Sequence, residues 1–450
     1  MLGLLLSRVV ALRDAAGNIA WNPLVGTART LCLALLSRIE IGRLEIIDLN
    51  GDIHICGQES GSGNAETVLT LHKDTFWLRL ALFADMGFAE SYLLSEVSCP
   101  DLVAFFKIFI LNRPYISNST ITSSITDSVT GLIRSTNTLS NARLNIAAHY
   151  DISNAMFAAF LSPDMTYSCP IWRSKADPAH VEETLEEAQD RKLARFIKNA
   201  KIKRGDRVLE IGTGWGSLAI KAVKETGCTV ISLTLSEEQK KLAEQKIEDE
   251  GMSDKIQVLL CDYRKLAIPA EGRFDKIISI EMLEAVGREF LVTYFDCIDR
   301  LLKEDGGIAV FQCITIPEAR YESYSKGNDF IRQYIFPGGH LPSVSQLVAS
   351  IATGSKGKLV VDDIENIGAH YAKTLRLWKE KFLANFTSQI KPALLREHEN
   401  MTKTDVELFR RKWEYYFTYC EAGFATKTLG DVIITVGREG AMEMIEDVPL

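Results

Sequence analysis

The chain has 450 residues, which is long enough for two or three folded domains. Its net charge of -8 argues against a nucleic-acid-binding protein, because such proteins neutralise phosphates with basic residues. No apolar run reaches the roughly 18 to 20 residues that a membrane-spanning helix requires. The nine cysteines form no C-x-x-C pair, so reduced thiols are expected and a metal site is not.

Residues 1–114 predict a small α+β accessory domain that binds or positions a ligand. Strand-like segments at Arg43–Leu49 and Asp52–Cys56 flank Asn50-Gly51, a strong hairpin signal. The other predicted elements of this domain are a strand at Glu66–His72 and helices at Asp74–Met86 and Leu102–Leu111. The opening segment, Met1–Arg13, is apolar with two arginines, which fits either an organellar presequence or a surface helix.

A linker is predicted at residues 115–144, because 13 of the 26 residues from Tyr115 to Ser140 are Ser or Thr. His149 and Asp151 follow it and belong either to a lid over a ligand or to a set of caps and buried hydrogen-bond partners. Eight residues from Arg191 to Arg207 are basic, which predicts either a solvated helix face or a patch for anionic headgroups.

The stretch Val208–Gly216 predicts a ligand-binding turn that follows a buried strand. Gly212, Gly214 and Gly216 let the backbone turn tightly and approach a ligand without interference from a Cβ atom. The helix that follows presents its N-terminal amides to the same place. This glycine spacing occurs in both nicotinamide-binding and S-adenosylmethionine-binding sheets.

The next two strands favour S-adenosylmethionine. A nicotinamide enzyme usually places an Asp or Glu after its second strand, whereas Thr229–Leu235 leads into the segment Thr234–Gln239. The third strand, Lys255–Cys261, ends in Asp262 and Tyr263, which suit the amino group and the ring of an adenine. Ser236 and Gln239 are equally well explained as a capping box at the start of a helix.

Alternating strands and helices predict a doubly wound, Rossmann-like α/β sheet that binds ligands at the carboxyl ends of its strands. The fourth and fifth strands are predicted at Phe274–Glu281 and Gly306–Ile314. Glu281, Glu284 and Gln312 lie at or near these strand ends and are therefore candidate site residues.

The segment Tyr321–Pro342 is rich in aromatic residues, which fits either an apolar substrate tunnel or a packed core. The remaining predicted elements are helices at Arg288–Lys303, Tyr371–Asn385 and Asp405–Ala422 and a final strand at Val432–Val436.

Seven motifs, in this order, resemble those of the cyclopropane fatty acid synthases, in particular their eukaryotic, plant-type branch. They are His149–Asp151, Met165–Cys169, Glu210–Gly216, Thr234–Gln239, Glu281–Gly287, Tyr334–Gly339 and Tyr415–Phe424. The resemblance implies a class I methyltransferase domain at 145–450, with an aromatic lipid-binding insert at about 317–430. It also implies that residues 1–114 are the small accessory domain of that family.

The activity implied by the resemblance is transfer of a one-carbon unit from S-adenosylmethionine to the cis double bond of an acyl chain in a phospholipid, which closes a cyclopropane ring. Such an enzyme would be cytoplasmic and would associate peripherally with a membrane surface. A homodimer is one arrangement that the resemblance allows.

The resemblance also assigns roles to individual residues. Family members are thought to remove the final proton with a bound bicarbonate, and its holders here would be Cys169, Glu284, Gln312, Ile314 and Tyr371. Bacterial members carry a histidine at the position of Gln312; glutamine donates a hydrogen bond but holds no charge. Cys420 matches a family cysteine treated as an active-site residue, and a structural thiol is an equal alternative. The residues expected to bind the cofactor are Tyr167, Ser168, Glu210, Gly212, Gly214, Gly216, Thr234, Leu235, Gln239, Asp262 and Tyr263.

Three other functions compete with this interpretation. The first is a C-methyltransferase that makes a methyl-branched fatty acid, sphingolipid or sterol without closing a ring. The second is a small-amine N-methyltransferase. The third is a lipid-binding or scaffold protein without catalytic activity.

Overall fold

The structure, a computed structural model, describes residues 21–58, 65–116, 153–177, 182–446 and 449. Three predictions lie outside the described residues: the segment Met1–Arg13, nearly all of the linker at 115–144, and the pair His149 and Asp151.

The chain forms two compact units, each built from separate stretches of sequence. We call them the N-terminal unit, from Met1–Asp151, Gly327–Pro337 and Phe386–Thr426, and the sheet unit, from Ile152–Lys326, Gly338–Asn385 and Lys427–Leu450. The two units interleave along the sequence, whereas the domains predicted at 1–114 and 145–450 are contiguous. Those domain boundaries stay a prediction.

The N-terminal unit contains a four-stranded sheet. Its strands are β1 (Arg43–Ile47), β2 (Ile53–Gly57), β3 (Glu66–Leu71) and β4 (Val97–Ser98), in the order β2-β1-β3-β4. β1 and β2 pair antiparallel across the predicted turn, where Gly51 has a φ of +84°. β3 runs parallel to β1. The predicted α+β region and its hairpin are confirmed.

The helices of the N-terminal unit bring together aromatic rings from distant parts of the sequence. They are Trp21–Leu36, Thr75–Leu93, Leu102–Leu111, Arg113–Ile116, Phe330–Tyr334, Lys391–Glu397 and Lys403–Ala425, with a π-helix at Phe386–Ile390. The Tyr415 ring centroid lies 4.4 Å from that of Phe330 and 5.1 Å from that of Phe106. All three side chains are buried, so Phe330 and Tyr415 are core residues of this unit rather than exposed tunnel walls.

The sheet unit is organised around a seven-stranded sheet. Its strands are β5 (Arg207–Ile211), β6 (Thr229–Thr234), β7 (Ile256–Leu260), β8 (Lys276–Ile280), β9 (Ile308–Thr315), β10 (Leu359–Asn366) and β11 (Gly430–Arg438). The order is β10-β11-β9-β8-β5-β6-β7, and only β11 runs antiparallel to its two neighbours. The predicted doubly wound α/β sheet is confirmed.

Helices connect these strands, and the helices predicted at Arg288–Lys303 and Tyr371–Asn385 are formed within a few residues of those bounds. The α-helices of the sheet unit are Asn154–Ala158, Leu185–Asn199, Ser217–Thr226, Glu237–Asp249, Leu291–Leu301, Glu318–Lys326, Val344–Gly354 and Ala369–Asn385. Short 3-10 turns lie at Tyr263–Lys265, Leu283–Ala285, Arg288–Phe290 and Met442–Ile445. The edge strand β10 was not predicted, because a segment with three acidic residues among eight lacks the apolar character of a buried strand.

The topology places several strand ends at one edge of the sheet. β5 lies between β6 and β8. The strands that follow β5 in the sequence are added first on one side of it, as β6 and β7, and then on the other side, as β8 and β9. At such a reversal of strand order a crevice opens at the carboxyl ends of the strands. Because β11 is antiparallel to β9, its first residues pair with the last residues of β9, and Asp431 lies opposite Ile314. The start of β11 therefore contributes to the same edge.

Candidate active site

The predicted glycine turn is formed at the end of β5. Gly212, Gly214 and Gly216 have φ angles of +103°, +52° and +88°, a backbone conformation that L side chains rarely adopt. The amide of Gly212 donates to the carbonyl of Leu233 at 2.9 Å, which ties the turn to β6. A Cβ atom on Gly214 would meet no other atom within 4 Å, so this part of the turn faces open space.

Glu210 lies buried beneath this turn. Its Oε2 accepts a hydrogen bond from the hydroxyl of Ser232, which in turn lies 2.7 Å from the hydroxyl oxygen of Thr213. Burial raises the pKa of the Glu210 carboxyl to about 8, so the group is largely neutral at pH 7. In this structure the side chain of Glu210 supports the turn from below.

The segment after β6 is held by local hydrogen bonds. The hydroxyl of Ser236 accepts from the amide of Gln239 at 3.2 Å, so Ser236 is the N-cap of the helix Glu237–Asp249, as one interpretation predicted. The side chain of Gln239 does not complete a capping box, because its Oε1 accepts from the Thr234 hydroxyl at 3.0 Å. Leu235, between them, is 76% exposed, which leaves an apolar surface beside the glycine turn.

Asp262 and Tyr263 follow β7, and a neighbour that was not predicted holds the aspartate. Arg264 donates to both carboxylate oxygens of Asp262, at 2.9 Å from Nε and 2.5 Å from Nη2. These hydrogen bonds lower the pKa of the Asp262 carboxyl, so it is ionised at neutral pH. The Tyr263 ring packs edge-on against Tyr294, with 5.0 Å between the ring centroids.

Three predicted residues converge on a fourth, Glu281, at the end of β8. Its Oε1 accepts from the amide of Cys169 at 2.7 Å and from Nε2 of Gln312 at 2.8 Å. Its Oε2 accepts from the hydroxyl of Tyr371 at 2.9 Å. The backbone of Glu281 has a φ of +47°, which is unusual for a residue other than glycine and is common at functional sites. Glu281 is thus the hub of the candidate site.

Asp431 is a member of this network that sequence reasoning missed. Nε2 of Gln312 donates to its Oδ2 at 2.8 Å, and the residue is completely buried. Burial, together with the nearby charge of Glu281, raises the pKa of Asp431 well above its usual range, which favours the protonated form of this carboxyl. The final strand was predicted to begin at Val432, one residue after Asp431. If this strand ran parallel to its neighbours, Asp431 would lie at the opposite edge of the sheet from the candidate site.

Glu284 and Ile314, two of the predicted site residues, are also in contact. Oε1 of Glu284 accepts from the amide of Ile314 at 2.6 Å. Oε2 of Glu284 is buried and has no hydrogen-bond partner in the described ranges of the chain. Burial, followed by the charge of Glu281, raises the pKa of the Glu284 carboxyl to about 8.

Lys192 is a second missed residue. It is completely buried, and its ammonium donates to the hydroxyl of Ser168 at 2.7 Å. Burial lowers the pKa of Lys192, and the charge of Glu281 opposes this shift. Lys192 therefore does not belong to a solvated helix face, which was one interpretation of the basic segment from Arg191 to Arg207. The pattern Gln189, Lys192, Leu193 and Phe196 has helical spacing, and this signal could have indicated a buried face.

The comparison with known sequences now decides the family. The family profile described as Mycolic acid cyclopropane synthetase matches residues 137–433 of the chain. The protein belongs to this family.

Relatives and a solved structure agree with the assignment to the mycolic acid cyclopropane synthetase family. Tuberculostearic acid methyltransferase UfaA1 from Mycobacterium tuberculosis is 36% identical over 380 residues, which are 83% of either chain. The cyclopropane-fatty-acyl-phospholipid synthase of Escherichia coli (strain K12) is 30% identical over 396 residues, covering 85% of this chain and 91% of the relative. The crystal structure of mycolic acid cyclopropane synthase CmaA1 complexed with SAH and CTAB is 28% identical. It superposes with a TM-score of 0.54 over 66% of this chain and 98% of that one.

This member of the mycolic acid cyclopropane synthetase family is an S-adenosylmethionine-dependent methyltransferase with a Rossmann-like sheet. The residues at the glycine turn fit such a co-substrate: Gly214 faces open space, Leu235 offers an exposed apolar surface, and Asp262 presents an ionised carboxylate.

A cluster of aromatic side chains lies near the glycine turn. The Tyr167 ring centroid is 5.0 Å from those of both Phe157 and Trp378. Phe157 also lies 5.1 Å from Trp215, which belongs to the turn itself. The predicted cofactor-binding residue Tyr167 thus belongs to a cluster of rings, and its neighbour Ser168 is held by Lys192.

Cys420, a predicted catalytic residue, does not belong to the sheet unit. It belongs to the helix Lys403–Ala425 of the N-terminal unit. Burial raises the pKa of its thiol above the ordinary value, so the sulfur is protonated at neutral pH and is a poor nucleophile.

The basic segment from Arg191 to Arg207 is partly compensated by acidic neighbours. Arg191 pairs with Glu183 at 2.6 Å, and Arg195 and Lys203 also form ion pairs. This pairing weakens the interpretation of the segment as a patch for anionic headgroups.

One groove of about 670 Å³ lies away from the candidate site. It is lined by residues at the amino ends of β5, β6 and β7, among them Arg207, Thr229 and Ile256. Parallel strands place this groove at the opposite edge of the sheet from Glu281. Within the described ranges, no helix has both the length and the hydropathy to cross a membrane, and no cluster of three or more His, Cys, Asp or Glu could hold a metal ion.

Proposed function

We propose that the protein transfers a one-carbon unit from S-adenosylmethionine to the cis double bond of an unsaturated acyl chain in a phospholipid and closes a cyclopropane ring. The observation that carries this proposal is the arrangement at one sheet edge. The open turn at Gly214 and the carboxyl groups of Glu281, Glu284 and Asp431, whose pKa values are raised, lie at the edge formed by the carboxyl ends of β5, β8 and β9.

The first half of the reaction needs a co-substrate held beside an apolar chain. S-adenosylmethionine supplies a methyl group attached to a sulfonium, which is electrophilic enough for attack by an alkene. The turn at Gly212–Gly216 and the pair Asp262 and Tyr263 would bind it. An alkene is a weak nucleophile, so positioning and exclusion of water contribute most of the rate enhancement at this step.

The second half needs a base in a dry environment. After methyl transfer the substrate carries a carbocation, and ring closure requires loss of one proton from the transferred methyl group. Carboxylates with raised pKa values are suitable acceptors, because their proton affinity is closer to the working pH than that of an exposed carboxylate. Glu281 and Glu284 have this property.

A second candidate function is methylation of a lipid without ring closure. The observation that favours it is the relative UfaA1, which is named a tuberculostearic acid methyltransferase and matches 83% of this chain. In the same carbocation a hydride can first move from the methyl-bearing carbon to the cationic carbon. Loss of a proton from the methyl group then yields a methylene branch instead of a ring. The position of the base relative to the acyl chain decides between the two outcomes.

The substrate we propose is a phospholipid within a membrane surface, and the protein would associate with that surface peripherally from the cytoplasmic side. A homodimer remains part of this proposal. Sedimentation with unsaturated phosphatidylglycerol vesicles and light scattering of the free protein test these two points separately.

The reaction itself is tested by expressing the protein in a host rich in unsaturated phospholipids and analysing the acyl chains by mass spectrometry. A ring adds one CH₂ and removes the alkene, so ozonolysis no longer cleaves the chain. A methylene branch adds the same mass but remains cleavable. A strain that carries Asp262→Ala serves as the control. Unmodified acyl chains in the presence of folded wild-type protein would contradict the proposal.

A further inference from the structure

The donors expected to hold a bicarbonate are already bound to carboxylates of the chain. The amide of Cys169, Nε2 of Gln312 and the hydroxyl of Tyr371 all donate to Glu281, at 2.7, 2.8 and 2.9 Å. The amide of Ile314 donates to Glu284 at 2.6 Å. A free bicarbonate would have to displace Glu281 from three hydrogen bonds, so these residues do not fit that anion.

We propose that Glu281 is the resident anion of this site and accepts the proton released at ring closure, in place of free bicarbonate. This inference rests on the proposed function, since it names the base of that reaction. In the step, one C–H bond of the transferred methyl group breaks and its electron pair forms the C–C bond that closes the ring. The proton moves to the carboxylate of Glu281, and no oxidant or reductant is needed.

The backbone at position 281 is shaped for this task. With a φ of +47°, Glu281 lies in a region that side chains rarely occupy, yet its amide still donates to the carbonyl of Gln312 at 2.9 Å. The pairing between β8 and β9 therefore extends to Glu281, while the side chain of Glu281 points toward its hydrogen-bond donors. Backbone strain of this kind persists where the surrounding structure enforces it, and it clusters at active sites.

Exposure distinguishes Glu281 from the residues that donate hydrogen bonds to it. Cys169, Gln312 and Asp431 are completely buried, and Tyr371 is 4% exposed. Glu281 is only partly buried, as is Glu284 beside it, so both residues border accessible space whereas the three donors to Glu281 do not.

The surrounding groups prepare Glu281 to take up a proton. Three hydrogen-bond donors and the buried ammonium of Lys192 favour its charged form, whereas burial raises the pKa of the carboxyl above the ordinary value. The protonated carboxyl of Asp431 adds a hydrogen bond to Glu281. Glu281 is therefore a carboxylate held in place by the chain itself, with a proton affinity suited to a base.

The test uses Glu281→Gly in the full-length protein. Glycine accepts the left-handed backbone at this position without strain, so the variant should fold, and it leaves a space surrounded by donors. Lys356→Gly is the matched control, because Lys356 is exposed and has a similar φ of +55°. Glu281→Gln is the second variant, since it removes the charge but leaves no space.

Turnover on unsaturated phospholipid vesicles is measured in CO₂-depleted buffer and then with added bicarbonate or formate. We expect wild-type and Lys356→Gly turnover to be independent of either anion. Glu281→Gly should lose roughly 10²-fold in turnover, the usual scale for a missing general base, and should recover with either anion. Glu281→Gln should be impaired and should not recover. Wild-type turnover that falls in CO₂-depleted buffer, or a Gly variant that works without added anion, would overturn the inference.

A binding measurement separates this inference from the proposed function. Formate should raise the melting temperature of Glu281→Gly but not that of the wild type or of Lys356→Gly. If no lipid is modified by the wild type but this selective stabilisation is found, the anion site stands and the proposed reaction fails. If lipid is modified but formate stabilises all three proteins equally, the reaction stands and the role of Glu281 fails.

Discussion

Gln312 donates a hydrogen bond to Asp431 across the β9–β11 pair, with 2.8 Å between Nε2 and Oδ2, and both residues are completely buried. The same amide nitrogen donates to Glu281. Gln312 therefore connects the carboxyl groups of Asp431 and Glu281, whose pKa values are both raised by burial. A neutral amide can serve here if Glu281 carries the charge of the site, as we propose.

The protonation of Asp431 can be tested by substitution. Because burial raises the pKa of this carboxyl, asparagine resembles the form present at neutral pH. We expect Asp431→Asn to change the free energy of unfolding little. Asp431→Leu leaves Nε2 of Gln312 without one acceptor and should lower it by about 1 to 3 kcal/mol. Urea denaturation at pH 7 measures both variants, and an equal loss in the two would show that Asp431 is ionised.

Lys192 should contribute strongly to stability. Its ammonium is completely buried, and interaction with the charge of Glu281 favours its protonated form. Replacing it with methionine keeps the apolar volume but leaves a buried negative charge without compensation, which costs about 3 to 5 kcal/mol. Lys198→Met, at an exposed position of the same helix, should stay within about 0.5 kcal/mol of the wild type. Equal stability of the two variants in urea denaturation would rule out this role of Lys192.

Gly214→Ala should impair binding of S-adenosylmethionine more than it impairs folding. An added Cβ atom would meet no protein atom within 4 Å, but it would project into the open space beside the turn. The strain of the left-handed backbone costs about 1 to 2 kcal/mol. Gly357→Ala is the control, because Gly357 has a φ of +78° and equally open surroundings. Calorimetric titration should show loss of affinity for the Gly214 variant alone, and equal affinities would place the co-substrate elsewhere.

Glu284→Gln should reduce turnover while co-substrate affinity stays close to that of the wild type. The amide oxygen of glutamine can still accept from the Ile314 amide, so the local structure is retained. The change removes a titratable group that interacts with Glu281, and the coupling of two carboxyl groups is mutual. We expect a loss on the order of 10²-fold in kcat. Unchanged kcat would remove Glu284 from the mechanism.

Stability should fall with rising pH because of Glu210. Its pKa is raised by burial from 4.5 to about 8, so between these values the folded state binds more protons than the unfolded state. The free energy of unfolding that depends on this group is therefore fully present below pH 4.5 and is lost as the pH rises through about 8. Urea denaturation between these limits should show a shallower fall for Glu210→Gln. Parallel curves would mean that Glu210 ionises normally.

The glycine turn, the alternating sheet and the strand-end candidates could be predicted from local patterns. A buried strand is a short apolar run, and closely spaced glycines mark a turn that needs positive φ angles. For this reason β5 and its turn were placed correctly. The strand-end rule then identified Glu281, Glu284 and Gln312 as candidates without any knowledge of their contacts. These predictions need only short-range information.

Asp431 and Lys192 could not be found in the same way. Asp431 reaches the site because β11 runs antiparallel, and strand direction depends on pairing with β9 more than a hundred residues earlier. Lys192 lies in a basic segment that predicts exposure, and only the burial of one helix face reverses that expectation.

The amino-acid sequence by itself determined which residues are candidates for the site, because glycine turns and strand ends can be recognised from the local spacing of residue types. Only the tertiary structure decided how the donors are used. Cys169, Gln312 and Tyr371 come from three distant segments, and their hydrogen bonds converge on Glu281 because the folded sheet closes around that carboxylate. Partner choice among buried polar groups is a property of three-dimensional packing, since each donor bonds to the acceptor that the fold places within reach.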